Sequence, residues 1–195
     1  MTKTARKPLA AALLLGVALT LVGCNSNSGD SAPTPSSTNA SAHTTAAATT
    51  SKDSEAAIWN PCDIPDSAIS ALGLNTASKD TTVAGVDPTG WKVCAWQAGA
   101  KTYDFTVFSS SHTLEEVQQR SDREGFTPTT VGSHRALQYR VVGDKHQLKC
   151  YISAEVPHGM IDFLVVNRYL VQGASEPCGE VRRLSDALVE YLPKG

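Results

Sequence analysis

Hydrophobic and polar positions divide the chain into three stretches of unlike texture. Leu9 to Leu19 is almost purely Ala, Leu, Val and Gly, and Lys3, Arg6 and Lys7 precede it. From Asn25 to Ser54 there is no Leu, Ile, Val, Phe, Tyr, Trp or Met. From Ala56 onward apolar residues return at the spacings of helices and strands.

In this last stretch, Ile64, Ala68 and Leu72 recur four apart. They predict a short helix opened by Pro61-Cys62-Asp63-Ile64-Pro65 and stopped by Gly73. Asp87-Pro88-Thr89-Gly90 marks a turn. Trp91 to Ala98 and Lys101 to Ser109 read as two strands joined at Gly99, the second alternating Tyr103, Phe105 and Val107 with Asp104 and Thr106. Thr113-Leu114-Glu115-Glu116 has the form of a capping box and predicts a helix ending near Gly125. Its apolar stripe is thin, with Leu114, Val117 and little else. Strands are predicted over Thr127 to Val131, Ala136 to Val142, Gln147 to Glu155 and Met160 to Asn167, with turns at Gly143-Asp144 and Pro157-His158-Gly159. A last helix runs from Pro177 to Leu192 with Val181, Leu184, Leu188 and Tyr191 as its buried stripe, and Pro193 ends it. Consecutive strands with hairpin-length loops imply an antiparallel sheet. The expected class is α+β, with helices packed on one face of the sheet. About 140 residues suffice for an independent core.

The first two stretches indicate location. A basic segment followed by a short apolar one is the layout of a secretory signal, and it is too short to span a bilayer comfortably. It ends in Leu21-Val22-Gly23-Cys24, which has the form of a bacterial lipobox. In that chemistry the Cys24 thiol takes a diacylglyceryl group, and cleavage after residue 23 makes Cys24 the new N-terminus. Several acyl chains anchor where one is marginal, since each buried CH₂ contributes about 0.8 kcal/mol. Residues 1–23 are therefore read as a lipoprotein signal peptide. Residues 24–55 are read as the lipidated Cys plus a disordered Ser/Thr/Ala/Pro tether, and residues 56–195 as the folded domain. A segment without large apolar residues cannot offset its ordering entropy. Its thirty residues would reach about 30 Å on average and about 100 Å when stretched. The expected place is the outer face of the cell membrane.

Charge and composition narrow the partners. The chain has 17 basic and 19 acidic residues and 6% aromatics. Neither a basic excess nor rows of stacking rings is present, so nucleic acid is not an expected partner. Removing residues 1–23 takes away three basic residues and leaves 14 against 19, a net −5. A domain of that sign stands off anionic lipid.

With Cys24 assigned to lipid, Cys62, Cys94, Cys150 and Cys178 remain. An even number in an exported domain reads as two disulfides, in one of three pairings. Cys62 and Cys178 each follow a proline at a helix start, while Cys94 and Cys150 each lie in a strand. The preferred pairing is Cys62–Cys178 with Cys94–Cys150. No CxxC is present, which argues against a redox or metal role.

Asn60-Pro61-Cys62, Leu72-Gly73-Leu74, Val93-Cys94-Ala95-Trp96 leading into Tyr103-Asp104-Phe105, Leu148-Lys149-Cys150-Tyr151-Ile152 and Pro177-Cys178-Gly179-Glu180 together carry a family likeness. With the lipobox and tether, they make the chain resemble a family of actinobacterial surface lipoproteins of unknown function, LprB/LprC-like. The likeness covers most of residues 57 to 192. It implies architecture and location, and it brings no established activity.

Chemistry is sparse. GxSxG, HExxH, GxxxxGK[ST] and GxGxxG are all absent. His112, His134, His146 and His158 have no second His within four residues and read as solvated or turn histidines. Asp162 lies in the apolar run Met160 to Val166. It reads as an edge residue or one paired with a base such as Arg168, the alternative being a buried carboxylate with a raised pKa. Arg182 and Arg183 read as solvated surface. Trp91 and Trp96 fall on opposite faces of one strand. Trp96 is expected in the core beside Cys94. Trp91 is read as core packing, with a surface pocket as the alternative.

No catalytic residue, metal ligand or cofactor is assigned. The expected function is a non-enzymatic binding or accessory domain at the cell envelope, its ligand a protein, a wall polymer or a small apolar molecule. The alternatives are a wall-associated hydrolase whose site carries no known motif, and a small lipid or glycolipid carrier. Asp162 beside a His or Ser in a cleft would favour the hydrolase.

Overall fold

The computed structural model describes residues 58–86, 88–169 and 171–194. The segments read above as signal peptide and tether, with Cys24, and residues 56 and 57 lie outside the described residues.

Seven strands form one antiparallel sheet: β1 (Leu74–Asp80), β2 (Trp91–Ala98), β3 (Tyr103–Ser110), β4 (Arg123–Val131), β5 (His134–Val141), β6 (Lys149–Val156) and β7 (Gly159–Asn167). Their order across the sheet is β1-β2-β3-β7-β6-β5-β4. Two meanders thus meet at the β3–β7 pair in the centre, where Phe105 lies opposite Val165 and Phe108 opposite Asp162. Helix is a minor part: α1 (Asp66–Ala71), α2 (Leu114–Gln118), α3 (Pro177–Ala187) and single 3-10 turns at Pro61–Asp63 and Val189–Tyr191. No helix among the described residues is long and apolar enough to cross a membrane.

Each departure from the expected elements has a local cause. The predicted first helix is split, because Pro65 lacks an N–H and drives Ile64 to extended backbone (φ −59°, ψ 127°). β1 carries no apolar alternation, and Leu74 is its one buried residue, so the pattern did not predict a strand there. The helix begun at Thr113 makes both bonds of the capping box but ends at Gln118. Gly125 (φ +68°) serves the irregularity of β4 between Glu124 and Thr127 instead of stopping a helix. The C-terminal helix ends at Ala187, and a 3-10 turn follows.

The sheet has two unequal faces. On the first, α1 and α3 cover Trp96, Phe105, Val107, Ile152, Phe163 and Val165 with Ile69, Val181, Leu184 and Leu188. Phe105 stacks near Trp96 and Phe163, ring centroids 6.3 Å apart in both pairs. The second face holds a smaller cluster: Leu114 and Val117 of α2 on Leu137, Tyr139 and Met160. The expectation that helices share one face is therefore corrected. The chain leaves β3 in mid-sheet and must reach the far edge to start β4, and α2 lies on the second face during that crossing.

Both disulfides attach the first-face helical segments to the sheet, but in another pairing than expected. The bonds are Cys62–Cys94 and Cys150–Cys178, with Cα separations of 5.2 and 5.0 Å. Cys94 and Cys150 lie on β2 and β6, with β3 and β7 between them. Three strand spacings come to about 14 Å, twice what a disulfide spans. Each strand cysteine instead takes the helical cysteine above it: the Pro61–Asp63 turn lies against β2, and α3 against β6.

Candidate functional site

Strand alternation sends Trp91, Phe108, Tyr139, Tyr151, Ser153, Met160 and Asp162 to the second face. They come from five strands, and cross-strand register brings them together. Ser153 lies opposite Asp162, Asp162 opposite Phe108, and Tyr139 opposite Tyr151. Gly159 (φ +146°) helps to set this register, because a Cβ there would overlap the Ser110 carbonyl of β3.

With only five residues, α2 cannot roof this face. Two adjoining hollows remain beside it. One, of about 260 Å³, is lined by Trp91, Phe108, Tyr151, Arg120, Arg123 and Asp162. The other, of about 220 Å³, is lined by Trp91, His112, Glu116, Val117, Arg120 and Met160. Trp91 and Arg120 belong to both, so the two form one groove. Together they approach the size of a small-ligand site.

Asp162 is the most unusual group in the groove. It is 6% exposed, on a central strand, and not paired with Arg168, which binds Asp104 at 2.8 and 3.2 Å. The edge or Arg168-paired reading is thereby replaced by the buried-carboxylate alternative. The Ser153 hydroxyl donates to Asp162 Oδ1. Ser153 has a single proton, so the 2.8 Å bond between Tyr139 and Ser153 is donated by the phenol. Asp162 Oδ2 has no hydrogen-bond partner among the described residues. Burial raises the Asp162 pKa to about 6, against the Ser153 bond and the charges of Arg123, Arg120 and His112, which all pull it down.

The rim carries charge in balance. Arg120 holds Asp122 through Nε and Nη2 at 2.9 and 2.8 Å, and Arg123 Nη1 reaches the same carboxylate at 2.6 Å. The Arg120 bonds, with both positive charges, hold Asp122 down at about 2. The Arg123 guanidinium lies 4.9 Å from the centre of the Tyr151 ring. Tyr151 in turn stacks on Tyr139 at 5.1 Å, and Phe126 packs on Tyr139 at the same distance. This column holds the Arg123 guanidinium at the groove, and the shared Asp122 carboxylate links it to Arg120. Trp91 is half-buried with its ring 6.1 Å from Phe108 and 5.2 Å from His112. It packs against the Leu114–Met160 cluster, as the core-packing reading expects, and its remaining surface lines the groove. Trp96 is 1% exposed and lies in the core with Cys94.

Of the histidines, His112 lines the groove, and His134, His146 and His158 are not among its lining residues. His112 binds Glu116 at 2.9 Å, and His134 Nδ1 meets the Glu155 carbonyl at 2.8 Å. His146 packs against Tyr169, and His158 sits in the β6–β7 turn at φ +78°. Arg183 is exposed and Arg182 partly so, as the surface reading expects, and both also bind neighbouring groups. Arg182 bonds Thr129 and Thr130 of β4. Arg183 grips Glu180, which also accepts from Tyr103 at 2.7 Å. Among the described residues no three His, Cys, Asp or Glu side chains converge to hold a metal ion. Ser153 is fully buried, and its proton is committed to Asp162, so it is not placed to attack a substrate. The arrangement can bind: it offers a ring platform, N–H donors and one carboxylate facing the groove.

Residues 19–191 match the model of a family described as a protein of unknown function, DUF3558. The match begins upstream of Cys24. No curated protein and no solved structure matches the chain.

Proposed function

We propose that this chain, which belongs to the DUF3558 family, is an exported lipoprotein of the actinobacterial surface type, anchored to the outer face of the cell membrane by Cys24. Its domain is a non-enzymatic binding module, and the groove beside α2 is its ligand site. The anchor rests on the order of basic segment, apolar segment and Leu21-Val22-Gly23-Cys24. The binding role rests chiefly on one observation: a carboxylate that is costly to bury faces an open, aromatic-lined groove. A group that only disfavours folding is retained most readily where it meets a ligand.

The anchor is tested by fractionation: a Cys24→Ala chain is released to the medium, and its retention in the membrane fraction contradicts the anchor. The binding role is tested on the full chain purified from an exporting host, by comparing native and denatured masses. Excess native mass that disappears on denaturation, and is absent from a Trp91→Ala chain, supports a held ligand.

The hydrolase reading gains one observation, since Asp162 stands in a cleft in hydrogen-bond reach of Ser153. A carboxyl group with a pKa near 6 suits a general acid. Turnover of a wall polymer that Asp162→Asn abolishes would favour that reading over binding. The carrier reading asks for an enclosed cavity of several hundred Å³, and the two hollows here are open.

A further inference from the structure

We infer that the groove takes a neutral saccharide, a sugar ring or short glycan segment stacked beside Trp91 with its hydroxyls shared between Asp162 and the two arginines. The inference rests on the reading of the groove as a ligand site and names the chemistry of its occupant.

The polar groups define what can enter. Asp162 Oδ2 is an acceptor at the base of one hollow, with no partner among the described residues. Arg120 spends Nε and Nη2 on Asp122, and Arg123 spends Nη1 there. This leaves Arg120 Nη1, Arg123 Nη2 and the buried Arg123 Nε as donors without hydrogen-bond partners among the described residues. An occupant must therefore give a proton at one point and accept at others nearby. A sugar hydroxyl does both, and a ring carries several at neighbouring carbons.

The charges select against ligands of a single sign. Arg120 and Arg123 repel a cationic ligand, while Asp162, Asp122 and Glu116 repel an anionic one. A neutral molecule that donates and accepts meets both signs without penalty. A hydrocarbon chain would fit the rings but would strand the carboxylate and the guanidinium N–H groups.

The rings supply the rest. The Tyr151 ring is already engaged by Tyr139 and by Arg123. Trp91 borders both hollows and is the platform on which the apolar face of a sugar can lie. Two hollows on either side of one tryptophan suit a chain of two or three sugars better than a single ring.

The test is calorimetric titration of the full chain, disulfides intact and in detergent, with cellotriose, chitotriose, maltotriose and mannotriose. Benzoate and benzamidine serve as charged aromatic controls. At least one trisaccharide is expected to bind, and Trp91→Ala and Asp162→Asn each weaken it tenfold or more. Arg120→Gln, at a half-exposed side chain, keeps the test open if either variant is poorly folded, and it too lowers affinity. Saccharide binding that none of the three changes overturns the inference, because the sugar then sits elsewhere. If benzoate or benzamidine binds in a Trp91-dependent way while no trisaccharide does, the saccharide inference fails and the groove stands. If none of the six probes binds, both fail.

Discussion

The two faces of the sheet are built from alternate residues of the same strands, yet they are packed in opposite ways. On the α1/α3 face, Phe105, Ile152, Phe163 and Val165 are fully buried under Val181, Leu184 and Leu188, and both disulfides attach helical segments there. On the α2 face, one strand position away, Ser153, Asp162 and Tyr139 occupy the centre, and a five-residue helix covers only part of them. Stability resides on the first face. The second gives up apolar burial for a polar chain and an open groove, which is how a domain keeps a site without losing its fold.

The contrast can be broken by substitution. The largest effect is expected from Phe163→Ala on the first face, which removes a fully buried ring stacked on Phe105. It should cost roughly 3 to 5 kcal/mol in denaturant unfolding. Next is the Cys150→Ser/Cys178→Ser double variant. The bonded residues lie 28 apart in sequence, and closing such a loop contributes about 3 to 4 kcal/mol in the chain-entropy picture. Peptide mapping of the remaining bond must return Cys62–Cys94. On the second face, Thr113→Ala removes the cap of α2 and should cost about 1 kcal/mol by thermal unfolding. Trp91→Ala removes a partly buried ring packed on the Leu114–Met160 cluster; it should cost less stability than Phe163→Ala while affecting ligand binding most. If Trp91→Ala were as destabilising as Phe163→Ala, the second face would be a core and not a site.

How far these features were legible in the sequence follows the same division. Alternation in Tyr103-Asp104-Phe105-Thr106-Val107 and the stripe Val181, Leu184, Leu188 mark β3 and α3 because burial on the first face is apolar and periodic. β1 escaped because an edge strand needs few apolar residues. The pairing of the cysteines escaped because it depends on strand order: β2 and β6 look alike in sequence but stand three places apart. Asp162 stood out as a carboxylate in an apolar run, yet its burial depends on neighbours from β6 and β3 that no local pattern links. The Arg120, Asp122 and Arg123 cluster was missed altogether. Its clue, two arginines flanking an aspartate where a helix was expected to continue, became readable only once α2 was seen to end at Gln118.

The most direct test of the account is the unfolding free energy of the native chain and of Asp162→Asn, followed from pH 4 to pH 7. Asp162 binds its proton more tightly in the fold, with a pKa of about 6, than in the unfolded chain, where a carboxyl of this type titrates near 3.8. Its contribution is therefore full below about pH 4 and is lost as pH rises to about 6, a change of roughly 3 kcal/mol. Carboxylates held below their usual range, such as Asp122, act in the opposite direction, and they are common to both chains. The account predicts that Asp162→Asn gains stability relative to the native chain as pH rises through this window. Parallel profiles would contradict it.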